Sequence, residues 1–61
     1  MITDFEIRKE QRGKLFELIE IKRANKEENH VLNITIARHK SSMMEEDITL
    51  VEKEFKNIYP D

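Results

Sequence analysis

The sequence has no cysteine and no tryptophan, and its 61 residues include one glycine, one proline, one tyrosine and three phenylalanines. The absence of cysteine excludes disulfides, and with two histidines it also argues against a structural zinc site. So few glycines and prolines, beside 38% hydrophobic residues, argue against a turn-rich β domain and against disorder. No apolar run approaches the ~18 residues of a membrane span, and no signal-peptide pattern opens the chain. These absences predict a cytoplasmic protein with no membrane segment.

The length allows a single small helical domain over residues 1–61. Such a chain buries only about 60% of its unfolded surface, so it needs regular helix packing, self-association or a partner. Charged residues make up 39% of the chain, yet the net charge is only -2. That balance disfavours a broad phosphate-binding footprint, and so disfavours nucleic acid as a partner. The residue usage is compatible with a bacterial or phage genome.

The opening residues predict the start of a long helix over about residues 4–26. Thr3 has the position of an N-cap, and Glu6 three residues later completes a capping box. Ile2 and Ile7 have the spacing of a hydrophobic staple across the same helix start. These signals together predict a helix that begins at residue 4.

The apolar residues of this first helix cover a wide arc of its surface, namely Phe5, Ile7, Leu15, Phe16, Leu18, Ile19 and Ile21. A wide apolar arc predicts contact with more than one neighbour. Gly13 lies inside the helix, where glycine costs about 1 kcal/mol relative to alanine. It permits a close neighbour, marks a kink, or is a tolerated surface residue.

The last segment predicts a second long helix over about residues 43–58. Ser42 followed by Glu45 has the spacing of a capping box, and Pro60 marks the end. Apolar residues then recur at steps of four and three, at Met44, Ile48, Val51, Phe55 and Ile58. Two heptads of this kind predict one helix of a hairpin or small bundle.

The stretch HVLNITIARHK between these helices allows two interpretations. As a strand over residues 31–37 it alternates cleanly and is rich in β-branched side chains. A strand needs a partner for its backbone, and only a second copy would supply one. We therefore favour a short middle helix over about residues 30–39. The predicted fold is all-α, with the two long helices packed antiparallel beside the shorter one; the alternative is α+β with an intermolecular strand pair.

No constellation in the sequence predicts catalysis, a cofactor or a metal. His30 and His39 lie nine residues apart, a spacing that does not place two ligands together on a helix. Glu45, Glu46 and Asp47 are adjacent, so they diverge around a helix and lack the spacing of a calcium loop. We predict that the protein is not an enzyme.

The surplus of apolar helix surface predicts a small non-catalytic protein-interaction module, acting as a regulator, inhibitor or adaptor. It would bind a protein partner, as in helix-in-groove recognition, or a second copy of itself to form a homodimer. The predicted partner-binding residues are Leu18, Ile21, Met43, Leu50 and Tyr59. The alternative is a small dimeric nucleic-acid-binding protein that uses a basic stripe on the first helix, at Arg8, Arg12 and Arg23.

Overall fold

The computed structural model describes residues 3–26 and 29–60, and over these residues the chain is helical and contains no strand. Helix α1 spans Asp4–Asn25, α2 spans His30–Ser41 and α3 spans Glu45–Ile58. The all-α class is therefore confirmed. The alternative, in which residues 31–37 form a strand, is wrong.

Helix α1 begins and ends as its sequence predicts. Thr3 is the N-cap in an extended conformation, and its hydroxyl accepts a hydrogen bond of 3.2 Å from the Glu6 backbone N–H. At the other end Lys26 adopts a left-handed conformation with φ 54°, and its N–H donates to the Lys22 carbonyl. The hydrophobic staple predicted for Ile2 lies outside the described residues. The cap and the left-handed end thus set the length of α1.

Local hydrogen bonds explain why a segment rich in β-branched residues forms helix α2. The Asn29 side chain caps the helix by accepting from the Leu32 N–H at 3.0 Å. The Thr35 hydroxyl donates to the Val31 carbonyl at 2.8 Å, so it is satisfied within the helix. Ile36 is buried against the other helices, and this burial outweighs the local β propensity. The last turn carries side chains that suit the helix dipole, Arg38, His39 and Lys40.

Helix α3 begins two residues later than predicted, and its predicted cap is wrong. Ser42 is instead the C-cap of α2, where its hydroxyl donates to the His39 carbonyl at 2.9 Å. Met44 is the N-cap of α3 and makes no side-chain capping bond. The His39 carbonyl at the end of α2 thus accepts from both the hydroxyl and the backbone N–H of Ser42. The positive end of the helix dipole at the start of α3 interacts favourably with three acidic residues in the first turn, Glu45, Glu46 and Asp47.

Helices α1 and α3 run parallel, which corrects the predicted antiparallel packing. Three contacts between them each join residues 39 positions apart: Arg8 Nε to Asp47 Oδ2 at 2.8 Å, the Phe16 and Phe55 ring centroids at 5.6 Å, and the Tyr59 hydroxyl to Glu20 Oε1 at 2.7 Å. Helix α2 runs antiparallel to α1. This direction is shown by His39, near the end of α2, whose Nε2 lies 2.8 Å from the carbonyl oxygen of Gln11 in the first half of α1. The chain direction reverses between α1 and α2 and again across the second connection, residues 42–44, so the first and third helices point the same way.

The core is small and takes side chains from all three helices and the second connection. Its buried apolar members are Leu15, Leu18, Ile36, Met43 and Val51, with Phe16, Ile19, Leu32 and Ile48 packed against them. The two ends of the predicted α3 seam lie outside the core, since Met44 is 50% exposed and Ile58 is 54% exposed. The seam therefore packs only through its middle residues.

Gly13 has no packing role that a larger side chain would disturb. A Cβ placed there meets no heavy atom within 4 Å, so no neighbour approaches the helix at this point. We expect Gly13→Ala to raise the free energy of unfolding by about 1 kcal/mol, because alanine loses less backbone entropy in a helix. Urea unfolding followed by helical circular dichroism measures the change. A variant less stable than the parent would show that Gly13 has a role in packing.

Candidate functional site

An ion-pair cluster joins the first half of α1 to the first turn of α3. The Asp47 side chain has 0% exposure. Arg8 donates to it through Nε at 2.8 Å and Nη2 at 3.1 Å, and Arg12 donates through Nη1 at 3.0 Å. Both carboxylate oxygens therefore accept charge-assisted hydrogen bonds, one pair of them bidentate. Glu46 lies 3.8 Å from Arg8 at the exposed edge of the cluster.

The cluster fixes the charge state of its carboxyl group. The hydrogen bond from Arg8 lowers the pKa of Asp47 most, and Arg12 adds to the effect against the opposing influence of burial. The same bond to Asp47 raises the pKa of the Arg8 guanidinium. A buried carboxylate held by two cations anchors α3 to α1, and its chemistry is that of a structural contact.

A second cluster holds the other end of α3 against α1. The Tyr59 hydroxyl donates to Glu20 Oε1 at 2.7 Å, and its ring lies 4.8 Å from that of Phe55. The guanidinium carbon of Arg23 lies 4.2 Å above the Tyr59 ring centroid, which is a cation–π contact. The hydrogen bond to Glu20 raises the pKa of Tyr59, and burial adds to the shift.

The Tyr59 hydroxyl provides a direct optical test of this cluster, since the chain has one tyrosine and no tryptophan. We expect its ionisation, followed by ultraviolet absorbance, to have a midpoint above 10.0 in the folded protein. Because the folded pKa is raised, the bond stabilises the fold below the unfolded pKa and is lost as pH rises through the folded pKa. Glu20→Ala should return the midpoint toward 10.0. An unchanged midpoint in that variant would contradict the assignment.

The structure separates the five predicted partner-binding residues. Leu18 and Met43 are each 8% exposed and belong to the core, so neither presents a surface in this fold. Tyr59 is half-buried in its contact with α1. Ile21 and Leu50 are 42% and 53% exposed, and they lie on different helices. The predicted set therefore does not form one surface in this fold.

The basic stripe predicted on α1 has internal partners. Arg8 and Arg12 point their guanidinium groups at Asp47, and Arg23 lies over the ring of Tyr59. Each of these contacts holds α3 against α1. Phosphate binding would compete with contacts that maintain the fold, which weakens the physical basis for the nucleic-acid alternative.

A groove lies between α2 and α3, because each of these helices packs against α1 more closely than against the other. Its volume is about 260 Å³. Apolar side chains and charged side chains line it together, and every helix contributes: Ile19, Lys22, Ile36, Lys40, Glu52, Phe55 and Lys56. We call this the α2–α3 groove. It is an apolar depression with a charged rim.

The rim of the α2–α3 groove is cationic. Lys40 of α2 contacts Glu52 of α3 at 2.9 Å, so one lysine and the one acid of the rim form an ion pair. Lys22 and Lys56 add two further positive charges, which leaves a balance of three lysines against one glutamate. A groove with this lining suits an apolar group that carries negative charge beside it.

The sequence contains only a partial signal for this groove. Ile19 is followed by Lys22 three positions later, Ile36 by Lys40 four positions later, and Phe55 directly by Lys56. Lysines three or four positions away share a helix face with the apolar residue, as Lys22 and Lys40 do, whereas Lys56 does not share the face of Phe55 in this way. The three pairs come from different helices, so only the tertiary fold brings them together.

The described residues offer neither a metal site nor a membrane-spanning helix. They contain no group of three or more His, Asp or Glu side chains that could hold a metal ion, and none of their helices is long and apolar enough to span a membrane. No protein-family model, no curated protein and no solved structure matches the chain. The α2–α3 groove and the surfaces around it are therefore the features that bear on function.

Proposed function

We propose that this chain is a non-catalytic protein-interaction module, acting in the cytoplasm as a regulator, inhibitor or adaptor, and that the α2–α3 groove is its docking surface. The observation that carries the proposal is an apolar base built from three helices under a rim of three lysines. Ile36 in this base is 8% exposed, so the base is a fixed part of the core. A partner can add apolar contact there without unfolding the domain.

The occupant we propose is an amphipathic helix of a protein partner, with acidic side chains beside its apolar anchor. The groove holds about 260 Å³, somewhat below the roughly 300–1,000 Å³ of sites that enclose small molecules. Two helices flank it, which is the arrangement that receives a third helix by its apolar face. The excess of lysine selects negative charge around the anchor and repels basic partners.

A displayed library of amphipathic-helix peptides, selected against the full chain at low concentration, tests the proposal. We expect enriched peptides to perturb amide signals of α2 and α3 around the groove. We also expect the double variant Lys22→Glu/Lys56→Glu to weaken their binding by about tenfold or more, because it reverses the charge of the rim.

The matched control is Lys9→Glu/Lys14→Glu. Both lysines are exposed on α1, neither lines the α2–α3 groove, and the double change alters the net charge by the same amount. Circular dichroism establishes that both variants keep their helix content. The proposal fails if no peptide is enriched, or if the enriched peptides bind both double variants equally well.

A further inference from the structure

The geometry points to a second copy of this chain as an occupant of the α2–α3 groove, with Leu50 of that copy as the apolar anchor. This inference rests on the proposed docking role of the groove. Leu50 lies in the middle of α3 and is 53% exposed. It is therefore an apolar side chain on a helix surface that the fold leaves open to solvent.

The neighbours of Leu50 give this surface the chemistry that the groove selects. Glu46 and Glu54 lie one helical turn before and after it, at positions that share its face. Both residues are exposed. Lys53 lies on the same side and Glu46 lies 3.8 Å from Arg8 of α1, so the face carries two acids, one of them beside an arginine, and one lysine around a single apolar anchor. We call this the Leu50 face.

The two surfaces are complementary in polarity and in charge. The groove combines an apolar base with a balance of three lysines against one glutamate. The Leu50 face combines one apolar side chain with two glutamates and one lysine, and Arg8 lies beside Glu46 at its edge. Leu50 seated over Ile36 and Phe55 brings Glu46 and Glu54 toward the lysines of the rim. Opposite charges then meet around a desolvated centre, as in interfaces with an apolar core and a polar rim.

The Leu50 face of a chain cannot reach the α2–α3 groove of the same chain. Phe55 faces the groove, and Leu50 is five residues away, which is about 140° around an α-helix. The groove and the Leu50 face therefore point in different directions from the same helix. The contact is head to tail, so each copy has one surface of each kind, and copies add until the arrangement closes or stops.

Light scattering after size exclusion, from about 10 µM to about 1 mM, measures this association. We expect the wild-type mass to rise above the 7.4 kDa of one chain as concentration increases, with a dissociation constant in the micromolar to millimolar range typical of small interfaces. Added salt should weaken the association, because rim charges are screened.

Two variants remove one surface each. Lys22→Glu/Lys56→Glu disables the groove, and Leu50→Ser/Glu54→Lys disables the anchor; each alone should remain a single chain across the range. The matched controls are Lys9→Glu/Lys14→Glu for charge and Ile34→Ser for apolar exposure, since Ile34 is 51% exposed on the outer side of α2. Both controls should associate as the wild type does.

Mixing the groove variant with the anchor variant supplies one intact surface of each kind. We expect a one-to-one complex of about twice the single-chain mass that does not grow further, because only one productive contact remains. Failure of this mixture to associate, or a wild type that stays a single chain at every concentration, overturns the inference. If self-association failed but library-selected peptides still bound the groove, the proposed function would stand. If neither self-association nor peptide binding were observed, the proposed function would fail as well.

Discussion

Leu15→Ala is expected to remove most of the folding stability of this chain. Leu15 has 0% exposure and belongs to the core formed by the three helices. Truncation of a fully buried leucine costs about 2–5 kcal/mol, since it removes apolar burial and leaves a cavity. A domain of this length has roughly 3–9 kcal/mol in total at about 0.05–0.15 kcal/mol per residue. Urea unfolding followed by helical circular dichroism should show a shallow or absent folded baseline.

Ile34→Ala is the control for this substitution. Ile34 is 51% exposed on α2, so its truncation removes little buried surface. Its effect should stay within about 0.5 kcal/mol, as for other surface changes. If Leu15→Ala unfolded at the same urea concentration as Ile34→Ala, the core would not lie where the structure places it.

Asp47→Asn is expected to cause the second large loss, and the loss should depend on pH. The carboxylate of Asp47 is fully buried and accepts hydrogen bonds from Arg8 and Arg12. The asparagine amide keeps the shape but has no charge to balance two guanidinium groups. Removing one partner of a buried ionic contact leaves the others without compensation, which is far more destabilising than removing an exposed pair.

The direction of the pH dependence follows from the lowered pKa of Asp47. A folded pKa below the ordinary value of 3.8 means that the unfolded chain takes up the proton first. The contribution is therefore fully present above pH 3.8 and is lost as pH falls through the folded pKa. Unfolding curves of the wild type and Asp47→Asn should lie far apart at about pH 7 and approach each other as the pH falls below 3.8.

Glu52→Gln serves as the comparison for this pH series. Its carboxylate forms the Lys40 ion pair at the exposed rim of the groove, and such pairs contribute about 0–1 kcal/mol. We expect only a small change in the free energy of unfolding. A constant gap between wild type and Asp47→Asn from neutral to acid pH would contradict an ionised Asp47 in the folded state.

The helices themselves were predictable from the sequence because their signals are local. The hydroxyl of Thr3 and the acidic first turn of α3 act within a few residues of their own positions. Ser42 misled the prediction because the same residue type can begin one helix or close another, and its hydroxyl bonds backward to α2. A hydroxyl between two helices satisfies whichever backbone groups are left open beside it.

The site was less predictable because it depends on how the helices meet. Leu18 and Met43 are buried in the core. The periodicity of apolar residues along one helix does not distinguish a side chain that packs inside the protein from one that binds a partner. Arg8 and Arg12 form a basic stripe in the sequence, yet they contact an acid 39 and 35 residues later. The direction of α1 and α3 was predicted wrongly as antiparallel, although two chain reversals among three helices make the first and third parallel.

Contacting positions in α1 and α3 are separated by 39 residues, or by 35 for Arg12 and Asp47, and this nearly constant separation has a consequence for folding kinetics. In a hairpin such as α1–α2, the loop closed by each contact shortens toward the turn, so contacts can form one after another. Between two parallel helices every contact closes a loop of nearly the same length, and the entropy of closure is spent on the first one. The later contacts then form at little further entropic cost. Docking of α3 against α1 should therefore be an all-or-none step.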